Sequence, residues 1–146
     1  MPTVEFPYLG IAIDPSDPFP SGQIAKRPLT RAIIRSVATG KRMRCFVCLD
    51  SGADHCVFPA SFATALGIDI LTLKKHLTGG VGSTANPTYY TNLEIFLAPD
   101  IQFKSYVGFS PAMDAHGIGL LGQAGFFEYY NVSFNQKDMK FSIETT

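Results

Sequence analysis

Val47-Cys48-Leu49-Asp50-Ser51-Gly52-Ala53 is an apolar run that ends on a carboxylate, a hydroxyl and two small residues. An unpaired charge at the end of a buried strand is costly, so Asp50 needs a reason to be there. Two such carboxylates that meet and share one proton supply that reason. No other Asp in the 146 residues is followed by Ser-Gly or Thr-Gly. The second carboxylate therefore has to come from a second copy of the chain. The competing reading of Asp50-Ser51-Gly52 is an ordinary turn, because Asp, Ser and Gly are common turn formers.

Outward from this stretch, short apolar segments alternate with turn signals. Leu29 to Val37 and Met43 to Leu49 read as strands around the turn Thr39-Gly40-Lys41. Cys56-Val57-Phe58 is a short strand, and Pro59 to Leu66 a short helix stopped by Gly67. Thr78 to Thr84 and Tyr89 to Leu97 form the two sides of a hairpin with a glycine-rich tip at Gly79-Gly80-Val81-Gly82. Ile101 to Phe109 is a further strand, Pro111 to Gly117 a loop, and Ile118 to Leu121 a short strand ending at Gly122. Gln123 to Tyr130 reads as a helix or helical turn, and Val132-Ser133-Phe134 with Met139 to Ile143 as a closing hairpin. Many short strands at close spacing imply an all-β, small closed barrel with one or two short helices.

The chain divides into a Pro-rich arm, residues 1–28, and one domain, residues 29–146. The arm carries consecutive turns at Asp14-Pro15-Ser16-Asp17-Pro18 and apolar anchors such as Phe6, Tyr8 and Phe19. It is expected to lie on the domain or on a partner subunit. Apolar residues make up 46% of the chain and charged ones only 16%, an excess that favours self-association. A formal net charge of zero gives no reason to expect nucleic acid as a partner. Met1 to Pro7 has no basic start followed by an apolar core, and no run reaches transmembrane length. The expected setting is soluble, cytoplasmic and reducing, with no membrane partner.

Three features recur in a fixed order: the apolar strand into Asp50-Ser51-Gly52-Ala53, the glycine-rich hairpin, and Gly119-Leu120-Leu121-Gly122 before a short helix and closing hairpin. This layout, over roughly Arg27 to Glu144, resembles the retropepsin-like aspartic peptidases, the retroviral proteases and their cellular and bacterial relatives. The resemblance implies an aspartic endopeptidase whose site forms at a homodimer interface, with Asp50 from each subunit activating water. Ser51 would hydrogen-bond across the two-fold axis, Gly52 would allow tight packing beside the carboxylate, and Ala53 would leave room for substrate backbone. Gly79, Gly80, Val81 and Gly82 would form a flap over a peptide bound in extended form. Leu120, Leu121 and Gly122 would be the second signature. Val57, Val81 and Ile118 suggest apolar substrate pockets. No cofactor and no metal is implied.

One departure stands out. Retroviral members usually carry Arg after the second Gly, paired with an acid just past the catalytic motif. Here Asp54 matches that acid but Gln123 stands in place of the Arg, so Asp54 is expected to pair with Arg27 or Arg31, from its own or the other subunit.

Two other functions compete. The same fold could be a catalytically silent dimerisation or peptide-binding module, which Ser51 and Gln123 keep open. A thiol enzyme using Cys56 would need a base beside it, and His55 points to the other side of an extended segment. Cys45 and Cys48 form C-x-x-C but would point to opposite faces of a strand, with no second pair to complete a zinc set. His55, His76 and His116 are scattered, and Asp114-Ala115-His116 lacks further ligands at useful spacing.

Overall fold

The computed structural model describes residues 2–78 and 86–145. Among the described residues, twelve strands and one α-helix follow in the order β1 (Thr3–Pro7), β2 (Leu9–Ile13), β3 (Gln23–Arg27), β4 (Leu29–Ser36), β5 (Arg42–Leu49), β6 (Val57–Pro59), α1 (Ala60–Ala65), β7 (Lys74–Thr78), β8 (Asn86–Ala98), β9 (Ile101–Ser110), β10 (Gly119–Leu121), β11 (Val132–Asn135) and β12 (Lys140–Glu144). The glycine-rich tip expected at Gly79, Gly80, Val81 and Gly82 lies outside the described residues, between β7 and β8.

Six strands close into a barrel in the order β4-β5-β10-β6-β9-β8, with β8 returning to β4 and β7 attached beyond β8. The alternation read from the sequence becomes the wall of this barrel. Met43, Cys45, Val47 and Leu49 of β5 point inward and Arg42, Arg44 and Phe46 outward, with Val47 wholly buried and Leu49 nearly so. Ile34, Phe58, Leu93, Ile95, Val107, Phe109 and Leu121 fill the interior. Ridding water of this much apolar surface is the main favourable term in folding.

The N-terminal arm is β-structured. β1 pairs antiparallel with β12, which pairs with β11, so both ends of the chain share one three-stranded sheet. Phe6 stacks on Phe141 at 5.0 Å between ring centres. Among the described residues β2 and β3 pair only with each other, as a separate two-stranded ribbon.

The segment from Gln123 to Tyr130 is a series of turns, not an α-helix. Gly125 has φ of +101°, which a right-handed helix does not accommodate. The backbone bonds are mixed in span, from Phe127 N–H to the Gly122 carbonyl and from Tyr129 N–H to the Phe126 carbonyl. Phe126 is wholly buried there, against the rings of Phe103, Phe127 and Tyr130.

Candidate active site

Asp50 sits where two strands from distant parts of the sequence meet. β10 lies parallel to β5, with Gly119 opposite Val47 and Leu121 opposite Leu49. β10 also pairs antiparallel with β6, through Leu120 and Val57. The Asp50 N–H extends the parallel ladder by one step, donating to the Leu121 carbonyl at 2.9 Å. Past that point the two chains cross. Gln123 N–H donates to the Ala53 carbonyl at 2.8 Å and Ala124 N–H to the Asp54 carbonyl at 2.9 Å. The strand ending at Asp50 and the Leu120-Leu121-Gly122 stretch are thus one hydrogen-bonded unit.

Within the loop, the backbone folds around the carboxylate. Gly52 N–H donates to Asp50 Oδ1 at 3.0 Å, and Ala53 N–H to the Asp50 carbonyl at 3.1 Å. A Cβ on Gly52 would sit 3.2 Å from Asp50 Oδ1, so glycine leaves that oxygen its room. Asp50 and Ala53 are half-buried while Ser51 and Gly52 are exposed. The carboxylate therefore stands at the surface of one protomer, on a floor held from behind.

Gly122 is where the crossing is tightest. A Cβ there would overlap the His55 carbonyl oxygen and approach the Ala53 carbonyl oxygen to 2.7 Å. Behind it lies Cys56, wholly buried. Gly122 N–H points at Cys56 Sγ at 3.4 Å, and the thiol points at the Ala124 carbonyl at 3.6 Å. Burial pushes this thiol up from its ordinary value, opposed by the Gly122 N–H. A buried neutral thiol is a poor nucleophile. His55, the adjacent imidazole, is exposed and meets Tyr90 edge-on at 6.1 Å. The arrangement does not support a Cys56–His55 pair.

Gln123 reaches back to the Asp50 loop. Its Nε2 donates to the Ser51 carbonyl at 2.9 Å, tying the second signature to the loop through a side chain. The sequence marks Gln123 as a departure but carries no signal for this bond. Asp54 is exposed and forms no ion pair among the described residues. The pairing expected within one subunit is therefore not made, and Arg31 lies over the Phe46 ring instead, at 6.0 Å. A cleft of about 470 Å3 opens beside Asp54, lined also by Gln123, Phe127 and Glu128.

Val57 and Ile118 are half-buried; Val81 lies outside the described residues. Cys45 and Cys48 are free and on opposite faces of β5. Burial pushes the Cys45 thiol up to about 12. The Cys48 thiol is raised by burial and then by the Asp50 charge, with Arg27 opposing. Among the described residues no cluster of three or more His, Cys, Asp or Glu is poised for a metal. No described helix is long and apolar enough to cross a membrane.

No family model matches the chain, and no curated protein matches it. Among solved structures it is similar to a retropepsin-like aspartic protease from Rickettsia conorii, at 18% identity and a TM-score of 0.54 over 97% of this chain and 92% of that one. The likeness, at that identity, is one of fold. The chain has the retropepsin-like fold, a small closed β-barrel.

Proposed function

We propose that two copies of this chain form an aspartic endopeptidase, with Asp50 of each copy meeting at the two-fold axis. The observation that carries this reading is the junction of β5 and β10. It leaves a half-buried carboxylate at the surface of one protomer, hydrogen-bonded by Gly52 and backed by the Leu121 ladder. One carboxylate alone has no second acid to work with. Two of them share a proton, because like charges so close do not both ionise easily.

The chemistry then follows from the pair. The ionised carboxylate takes a proton from a water as its oxygen attacks the scissile carbonyl carbon. The protonated carboxylate gives its proton to the carbonyl oxygen, forming a tetrahedral diol. Collapse of the diol breaks the C–N bond: one diol hydroxyl returns its proton to the carboxylate that had protonated the carbonyl oxygen, and the leaving nitrogen takes the proton first accepted from water, so the pair again holds one proton. Ser51 acts across the axis, Gly52 packs tightly beside the carboxylate, Ala53 admits the substrate backbone, and Gly79 to Gly82 close as the flap. Leu120, Leu121 and Gly122 hold the floor. The division into an arm, 1–28, and a peptidase domain, 29–146, belongs to the same reading. So does a cytoplasmic, reducing setting, which suits three free thiols.

Asp54 finds its partner across the dimer in this reading. Arg27 of the second copy enters the cleft that Asp54 and Glu128 line, doing the work of the Arg that Gln123 replaces.

The test compares wild type with Asp50→Asn on a mixed peptide library from acidic to neutral pH, read by mass spectrometry. Cleavage by wild type alone is the expected result. Equal cleavage by the variant refutes the mechanism. Peptide capture without turnover by either protein would identify the silent binding module instead.

A further inference from the structure

Two surfaces outside the Asp50 loop remain without a role. The first is the tip of the β2–β3 ribbon. Residues 14–21 are exposed throughout, yet they form an ordered turn. Ser16 and Phe19 exchange backbone hydrogen bonds, both 3.0 Å, and Gly22 N–H donates to the Phe19 carbonyl at 2.9 Å. Pro15, Pro18 and Pro20 fix the backbone further. The turn displays Phe19, 49% exposed, beside Asp14 and Asp17. Neither acid forms an ion pair among the described residues. A rigid turn loses little conformational entropy on docking, and an exposed aromatic ring is a common anchor at interfaces.

The second surface is a groove of about 1060 Å3. It opens where β4 parts from β8, since β4 pairs with β5 from Leu29 to Arg35 but with β8 only from Ile33 to Ser36. The β8–β9 register shifts between Phe96 and Ala98, both of which line the groove. Ile33, Phe46 and Phe96 contribute apolar lining, and Arg31, Arg42 and Arg44 bring three cations, Arg42 and Arg44 on the same outward face of β5 as Phe46. No carboxylate lines the groove among the described residues. Glu94, the acid on the adjoining strand, is engaged by Arg35 at 2.7 Å.

The two surfaces are complementary: an aromatic ring flanked by acids, and an apolar groove edged by arginines. No ion pair or ring contact joins them within one protomer, among the described residues. We infer that the groove receives the Asp14–Pro20 turn of a second copy of this chain, Phe19 on the apolar floor and Asp14 and Asp17 against Arg42 and Arg44. Tip and groove are different surfaces, so the contact is heterologous. It either closes reciprocally within a two-fold pair or joins pairs into a larger assembly. It uses no group of the Asp50 site and stands or falls apart from that reading.

Sedimentation velocity on the full-length chain across a concentration series tests it with two charge-reversed proteins, Asp14→Lys/Asp17→Lys and Arg42→Glu/Arg44→Glu. Each alone is expected to self-associate at least about tenfold more weakly than wild type, a loss of about 1.4 kcal/mol. An equimolar mixture, in which a lysine tip meets a glutamate groove, is expected to regain wild-type association. Phe19→Ser, which changes no charge, is expected to weaken association while its circular dichroism and thermal midpoint stay at wild-type values. Any association through Asp50 is common to all these proteins, so differences among them report this contact. Wild-type association by both reversed proteins, or a mixture no stronger than its components, overturns the inference.

Discussion

Gly122→Ala should be among the most damaging single-methyl changes available in this protein. The added Cβ meets the His55 carbonyl oxygen inside contact distance, and the His55 carbonyl carbon and Ala53 carbonyl oxygen at 2.7 Å. All three are backbone atoms of the segment that follows Asp50. No rotamer change can relieve the overlap, so the two crossing chains must separate. Overpacking a tight site costs about 1–3 kcal/mol, and a backbone clash belongs at the upper end. Separation also strains the bonds from Gln123 N–H to Ala53 and from Ala124 N–H to Asp54, at about 1 kcal/mol for one bond lost. The sum is about 4 kcal/mol, a large share of the 5–15 kcal/mol typical of a folded domain. With a urea slope of about 2 kcal/mol per molar, the midpoint should fall by about 2 M.

The assay is urea unfolding by circular dichroism at one fixed protein concentration, since self-association would make the midpoint concentration-dependent. Gly117→Ala is the control. Gly117 has φ of +68° but nothing within 4 Å of an added Cβ, so it should lose only the left-handed penalty, about 1–2 kcal/mol. Equal midpoints for the two variants, or a Gly122→Ala protein within about 0.5 M of wild type, would refute the reasoning that the crossing is sterically closed.

Other outcomes follow from the same structure. Phe126→Ala removes a wholly buried ring packed on three others and should cost about 3–5 kcal/mol, read as a lowered thermal midpoint. The Cys45 thiol has its folded value raised from 9.0 to about 12, so the folded state holds its proton where the unfolded chain has lost it. Its stabilising contribution is therefore complete below pH 9 and should decline as pH rises towards 12, seen as a falling urea midpoint that Cys45→Val flattens. Iodoacetamide at neutral pH should leave Cys56 unmodified in the native protein and label it in urea, by mass spectrometry; rapid native labelling would reopen the thiol mechanism. Asp54→Asn and Arg27→Ala should each raise the dimer dissociation constant several-fold without additive loss in the double variant, measured by analytical ultracentrifugation.

Much of the barrel was legible because its signals are local. The alternation Met43, Cys45, Val47 and Leu49 against Arg42, Arg44 and Phe46 is written in the chain, and a strand has only two faces to assign. The approach of Asp50 to the second signature was legible only through a resemblance, since the pairing of Leu121 with Leu49 spans most of the domain. The segment 123–130 reads as a helix or helical turn, and a positive φ at Gly125 gives it turns rather than a continuous helix. The flap tip at Gly79 to Gly82 is a sequence expectation alone.

By itself, the sequence determined what each short segment is: apolar strands, turn residues, and one acid at a strand end. Tertiary structure alone decided which segments touch. It put Gly122 under the His55 and Ala53 carbonyls, turned Gln123 onto the Ser51 carbonyl, left Asp54 without an ion pair among the described residues, and opened the arginine-edged groove between β4 and β8. The reason is physical. Periodicity and turn preference act between neighbours in the chain, whereas a steric crossing, a long-range hydrogen bond or a groove exists only once distant strands have closed on a shared core.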